Sequence, residues 1–279
     1  MYQSKRKKVR SVFVILLICL ICLQSLCRAG LPAVLASTKE IPKSRKVSVL
    51  LIGNSMVKRR NNDTMKYLKN LAKGAGRKMT LDYVAYSNEK LMNWANPKHA
   101  NGRKAYKKIA DRKWDFIILQ EHTDYAIAHR STFVSASKKL AAYIYKKCPD
   151  TQIIYNCTWA YDKTKKLCGK RYSYSAQQKN MNANYKKAAA ATRGRVCWTG
   201  NAFKAYRKQK GAKGLYLKDK NHATSYGWFL NAACMYAAIF GASPSESTYC
   251  GGLNKRQVKQ MKKIAWQENR WAGYFIQNR

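Results

Sequence analysis

Five short apolar runs, each followed by a polar loop and then by a stretch of helical periodicity, organise residues 47–198. They lie at 47–52 (VSVLLI), 79–85 (MTLDYVA), 114–119 (WDFIIL), 152–157 (QIIYNC) and 195–198 (RVCW). Runs this short, rich in β-branched residues and stopped by glycine or polar residues, read as strands buried on both faces. Between them the apolar residues recur at helical spacing. Asp63 or Thr64 can cap a helix that lines up Met65, Leu68, Leu71 and Ala72, and Phe133, Ala136, Leu140 and Ile144 form a second stripe. A basic helix passes through 104–111, and an alanine-rich one covers roughly 175–192. A helix apolar on all sides occupies 226–240, and a basic amphipathic helix follows Gly252. Strands alternating with helices imply a parallel sheet, and right-handed crossovers cover both its faces. The expected fold is α/β, a three-layer α/β/α sandwich on a five-stranded parallel sheet. In such sheets ligands bind beyond the carboxyl ends of the strands.

The N-terminus reads differently. Residues 5–10 (KRKKVR) precede an unbroken apolar run at 12–23, which is 12 residues against the roughly 20 of a membrane span. Residues 1–36 are therefore expected to be a signal peptide cut after Ala36, or else an uncleaved N-terminal anchor. Residues 37–46 make a polar linker, and 47–279 make the folded domain, placed outside the cell membrane or secreted. The chain has 55 Lys+Arg against 13 Asp+Glu, a net charge of +42. Such a surface attracts polyanions, whether anionic cell-wall polymer, membrane surface or acidic polysaccharide. The lysines are spread along the whole chain, which argues against a dedicated nucleic-acid site.

Chemistry-bearing residues gather just after the strands. Gly53-Asn54-Ser55 follows the first, Tyr86-Ser87-Asn88 the second, Gln120-Glu121-His122-Thr123 the third and Thr158-Trp159-Ala160-Tyr161 the fourth. Ser55 is the best nucleophile, because Gly53 permits a tight turn out of the strand. A serine hydroxyl needs a base within hydrogen-bond reach. Of the four histidines His99, His122, His129 and His222, the last stands out: Asp219 precedes it by three residues in a lysine-rich loop. In an extended loop, D-x-x-H lets the carboxylate fold back on the imidazole Nδ1 and leaves Nε2 for the serine. Trp94, Trp159, Tyr161 and Trp198 lie near strand ends, where aromatic faces suit sugar rings. Six cysteines follow residue 36 (Cys148, Cys157, Cys168, Cys197, Cys234 and Cys250). Their spacing fits no zinc pattern and permits either buried thiols or disulfides, with Cys157 and Cys168 the closest pair.

Gly53-Asn54-Ser55 with Asp219-x-x-His222 resembles the SGNH/GDSL hydrolase superfamily, and closest to it is a little-studied bacterial subgroup. Leu119-Gln120-Glu121-His122-Thr123, Thr158-Trp159-Ala160-Tyr161, Gly200-Asn201-Ala202-Phe203 and His222-Ala223-Thr224-Ser225-Tyr226-Gly227 also fit, in order, over most of 47–250. The resemblance implies a flavodoxin-like fold and ester hydrolysis without metal or other cofactor. Ser55 would be the nucleophile, His222 the base then acid, and Asp219 its orienting carboxylate. Acyl esters, acetyl esters of carbohydrate among them, are the implied substrates. Asn54 stands where the family usually has Asp. The usual oxyanion-hole Gly and Asn are missing, so Ser87 and either Gln120 or His122 would have to join the Ser55 N–H. Asn54, Trp159 and Tyr161 are the expected substrate contacts. Two other functions fit the same residues: a non-catalytic cationic binding module at the cell surface, or an acyltransferase that moves the acyl group onto a glycan hydroxyl.

Overall fold

The computed structural model describes residues 40–59, 62–209 and 211–270. The leader, with Cys19, Cys22 and Cys27, and the first three residues of the linker (37–39) therefore lie outside the described residues. Five strands form one parallel sheet: β1 (Val47–Gly53), β2 (Met79–Ala85), β3 (Phe116–Leu119), β4 (Gln152–Asn156) and β5 (Arg195–Cys197). Their spatial order is β2-β1-β3-β4-β5, with every neighbouring pair parallel. This is the doubly wound order in which the chain reverses direction between β1 and β3, so the crevice at that switch point is where a site is expected.

Alternate residues of each strand enter two separate cores. Val49, Leu51, Ile118, Ile154 and Cys197 face one, with α1 (Thr64–Gly74), α7 (Thr199–Arg207), α8 (Ser225–Phe240) and α9 (Lys255–Asn269). Leu50, Ile52, Ile117, Leu119, Ile153 and Tyr155 face the other. That side is covered by α2 (Leu91–Trp94), α3 (Ala100–Ala110), α4 (Thr123–Ala128), α5 (Arg130–Lys147) and α6 (Tyr174–Ala190). A period-2 split with both faces apolar is why the strands read as continuous apolar runs.

Four strand boundaries fall within a residue of expectation. The third strand starts two residues late, because Trp114 turns its indole N–H back to the Lys108 and Ile109 carbonyls (3.2 Å each) and the Asp115 carboxylate takes the Ser48 N–H (2.7 Å). Two small antiparallel ribbons, Lys58–Arg59 with Asn62–Asp63 and Lys165–Leu167 with Lys170–Tyr172, were not foreseen. The all-apolar helix is buried throughout from Gly227 to Phe240.

Candidate active site

The chain leaves β1 through Gly53, where a Cβ would stand 2.8 Å from Gln120 Oε1 and 3.0 Å from Val57 Cγ2. Only glycine lets the strand pass this close to the end of β3. Asn54 then fixes the turn. It is 1 % exposed, and its backbone N–H donates to Gln120 Oε1 (2.9 Å). Its side-chain Nδ2 donates to the Glu89 carbonyl (2.9 Å), while Oδ1 accepts the Met56 N–H (3.0 Å). These bonds join three strand-end loops and leave Ser55 partly exposed at their meeting point. An aspartate here could not make the donation to Glu89, so Asn54 supplies a bond that the more usual residue cannot.

His222 arrives from the opposite end of the sequence. Tyr216 and Ala223 pair as an isolated antiparallel bridge, and between them the chain turns with Lys220 at φ 61°. Asp219 performs two tasks in that turn. Oδ1 accepts the backbone N–H groups of Asn221 (3.0 Å) and His222 (2.9 Å), which builds the loop. Oδ2 pairs with His222 Nδ1 at 2.7 Å, which sets the ring. His222 Nε2 lies 3.0 Å from Ser55 Oγ. Nδ1–H donating to the carboxylate leaves the Nε2 lone pair as acceptor for the serine hydroxyl. Partial burial pushes the Asp219 pKa up, but the bonds from the His222 ring and the two backbone N–H groups outweigh it and bring it to about 2. Arg59 adds a cation 3.5 Å from Oδ2.

The Thr158–Tyr161 segment clamps this loop. The Trp159 indole N–H donates to the Asn221 carbonyl (2.8 Å), Asp162 N–H donates to the Lys220 carbonyl (2.8 Å), and Tyr216 OH donates to the Ala160 carbonyl (3.1 Å). Thr224 caps α8, and Gly227 leaves room for the Leu215 carbonyl, which would be 2.6 Å from a Cβ. The sequence His222-Ala223-Thr224-Ser225-Tyr226-Gly227 is therefore a loop end, a cap and a close approach in succession.

Several sequence-based assignments need correction. Trp159 is fully buried and stacked on Phe203 at 4.1 Å, so it presents no face to a sugar. Tyr161 is 6 % exposed, with its hydroxyl donating to Asp124 (2.6 Å), and Asn54 is spent on the turn. All three support the site from behind instead of lining it. Gln120 is fully buried, and both ends of its carboxamide are used, Oε1 by Asn54 N–H and Nε2 by the Glu121 carbonyl. One Nε2 hydrogen remains, but Gln120 is fully buried and presents no exposed donor to an oxyanion. His122 caps α4 by accepting the Asp124 N–H at Nδ1 (3.3 Å), so its proton sits on Nε2. Burial, with Lys90 and Lys165 nearby, holds its pKa below the usual imidazole value despite Asp124. Ser87 is exposed in the loop that Asn54 tethers through Glu89. Among the described residues the Ser55 N–H makes no hydrogen bond to the protein. All six described cysteines are free thiols: Cys157 is buried and Cys168 is exposed, near His129 (3.5 Å).

One element was missed altogether. Asn231, fully buried in α8, donates to Thr64 Oγ1 (2.8 Å) and accepts from Asn156 (3.2 Å), tying the nucleophile side of the sheet to β4. A lone amide in an otherwise apolar helix was the available signal. Among the described residues no three His, Cys, Asp or Glu side chains group as ligands for one metal ion.

No family model matches the chain, and no curated protein does either. Solved structures do. A DUF4886 family protein from Bacteroides uniformis aligns with a TM-score of 0.69 at 19% identity, over 80% of this chain and 94% of its own. A protein from Slackia heliotrinireducens assigned as an SGNH hydrolase aligns at 0.55 and 20% identity, over 69% and 98%. An acetyl xylan esterase aligns at 0.51 and 14% identity, over 69% and 100%. At these identities the likeness is one of architecture. With its five-stranded parallel sheet between two helical layers, the chain has the fold of the SGNH/GDSL-type hydrolases.

Proposed function

We propose that the protein is a serine esterase that hydrolyses acyl esters, short ones such as acetyl on carbohydrate, outside the cell membrane. The observation that carries this reading is the unbroken run Asp219–His222–Ser55, with links of 2.7 and 3.0 Å, at the carboxyl edge of the sheet. Both links fall in the range that lets a base take the hydroxyl proton during attack.

Ser55 Oγ attacks the acyl carbon as its proton moves to His222 Nε2, and the carbonyl π pair moves onto oxygen. Asp219, ionised at any pH well above 2, stabilises the imidazolium through Nδ1–H. The Ser55 N–H, which makes no hydrogen bond among the described residues, is the oxyanion donor in this reading. Collapse breaks the bond to the leaving alkoxide, which takes the Nε2 proton and leaves an acyl-serine. Water, deprotonated by Nε2, repeats the sequence on that ester, releasing the acid and Ser55. An acetyl xylan esterase sharing this architecture agrees with an acetylated glycan as substrate. Turnover of p-nitrophenyl acetate, lost in Ser55→Ala, is the expected result. Equal turnover in that variant would refute the assignment, and product analysis with an acceptor sugar present separates hydrolysis from acyl transfer.

A further inference from the structure

Among the described residues four large apolar side chains are more than a third exposed: Tyr83 (38%), Tyr86 (41%), Met92 (42%) and Leu217 (38%). All four lie on segments joined to the site, the end of β2, the loop that follows it and the Asp219–His222 loop. Leu217 precedes Asp219 by two residues, and its N–H donates to the His222 carbonyl. Tyr86 and Met92 bracket Glu89, whose carbonyl holds Asn54, and Tyr83 meets Lys58 of the ribbon just beyond Ser55.

Cations are interleaved with these rings. Lys58 Nζ lies 4.1 Å from the Tyr83 ring centre, Lys104 Nζ 4.4 Å from that of Tyr86, and Lys90 Nζ 5.0 Å from that of Tyr125. Lys218 is exposed between Leu217 and Asp219. The nearby carboxylates are already committed. Glu89 is held by Asn93 (2.5 Å) and Asn101, Asp124 by Tyr161, Asp162 by Arg207 and Lys220, and Asp219 by His222. The approach to Ser55 is thus aromatic, and with Asp162 paired to Arg207 and Lys220 its cations Lys58, Arg59, Lys90, Lys104 and Lys218 outnumber the remaining carboxylates Glu89, Asp124 and Asp219, an arrangement that concentrates anions at the site. A neutral ester gains nothing from it.

Resting on the esterase reading above, we propose that the site acts on O-acyl esters carried by an anionic polysaccharide, whose acidic groups lie on the Lys58, Lys90 and Lys218 ammonium groups while its sugar rings lie on Tyr83 and Tyr86. A nucleic acid carries no carboxylic ester for Ser55 to cleave. A bilayer would select a contiguous apolar face, whereas these rings are separated by charges.

The test compares kcat/KM on O-acetylated polygalacturonate with that on acetylated xylan, a largely neutral glycan, at low and high salt. The acidic ester should be favoured by at least about tenfold at low salt, with the preference collapsing as screening increases. The triple variant Lys58→Gln/Lys90→Gln/Lys218→Gln should lower the acidic-to-neutral ratio severalfold. Removing the same charge at exposed Lys138, Lys139 and Lys146 on α5 should leave the ratio unchanged. Equal rates on the two glycans at low salt overturn the inference and leave the esterase standing. If neither glycan nor p-nitrophenyl acetate is turned over, the esterase reading fails, and binding of Ser55→Ala protein to the two glycans decides the surface. Preference for the acidic glycan that is lost only with the mouth lysines supports it, and equal loss in both triple variants overturns it. Anionic phospholipid vesicles that displace the acidic glycan from the protein also overturn it.

Discussion

Ser55 and His222, the proposed nucleophile and base, are held by unlike pieces of chain. Ser55 sits on a turn whose anchor, Asn54, is 1 % exposed and bonded to residues 35 and 66 positions away. His222 sits on an exposed loop built by bonds within a few residues, with an Asp219 side chain 40% accessible, and it is clamped at a few points by the 158–162 segment. The first arrangement ties position to the stability of the core. The second ties it to local geometry that can change without unfolding anything. Substitutions on the two sides should therefore separate stability from turnover.

The largest effect is expected at Asp219→Asn. The amide oxygen can still accept the Asn221 and His222 N–H groups, so the loop survives. The amide nitrogen then faces Nδ1 and forces the proton onto Nε2, which can no longer accept from Ser55. Turnover of p-nitrophenyl acetate should fall by about 10³–10⁴ with the melting temperature nearly unchanged. A melting loss of many degrees would show that the loop depends on the carboxylate charge.

On the nucleophile side the sharpest probe is Glu121, whose Oε1 accepts the Leu91 (2.9 Å) and His122 (2.6 Å) N–H groups while Oε2 is buried with no partner. Burial, opposed by those two N–H groups, raises its pKa from 4.5 to about 7. The folded chain thus keeps this proton to higher pH than the unfolded chain. Stability from the group is complete below about 4.5 and is lost as pH rises towards 7. Glu121→Gln keeps both accepted bonds and cannot ionise. It should match wild type near pH 4 and exceed it by about 3 kcal/mol at pH 8 in denaturant titrations. A difference that is constant with pH would mean that the carboxylate is solvated.

Smaller effects set the two sides directly against each other. Asn54→Ala removes two buried bonds and strands the Met56 N–H, at a cost of about 2 kcal/mol, so stability and turnover should drop together. Trp159→Phe keeps a ring on Phe203 but loses the bond to the Asn221 carbonyl and part of the buried indole volume. It should cost about 2 kcal/mol in stability while kcat falls up to about tenfold at unchanged KM. If Trp159→Phe leaves kcat unchanged, the 158–162 segment does not hold His222 in place, and the contrast between Ser55 held by the core and His222 held by its loop fails.

The same contrast explains what could be read from the sequence. The strands were legible because apolar residues fill both faces of the sheet, and Asp219–His222 because one local turn links them. The supports of Ser55 were not. The Gln120 carboxamide looks free in the sequence, and its two partners are known only once β1 and β3 lie side by side. Trp159 and Tyr161 were expected to line the site because aromatic residues at strand ends suit both a platform and a wall. Only packing against Phe203 and the bond to Asp124 decide between those roles. Asn231 was hidden in a helix read for its apolar face, although its polarity marked it.

The central claim is that the imidazole of His222 activates the hydroxyl of Ser55. Its most direct measurement is covalent labelling with a fluorophosphonate ester followed by peptide mass spectrometry. One phosphonyl group per chain, on Ser55, with the labelling rate falling by at least about 10³ in His222→Ala, is the predicted result. Intact protein whose Ser55 stays unlabelled, or labels equally fast without His222, would contradict it.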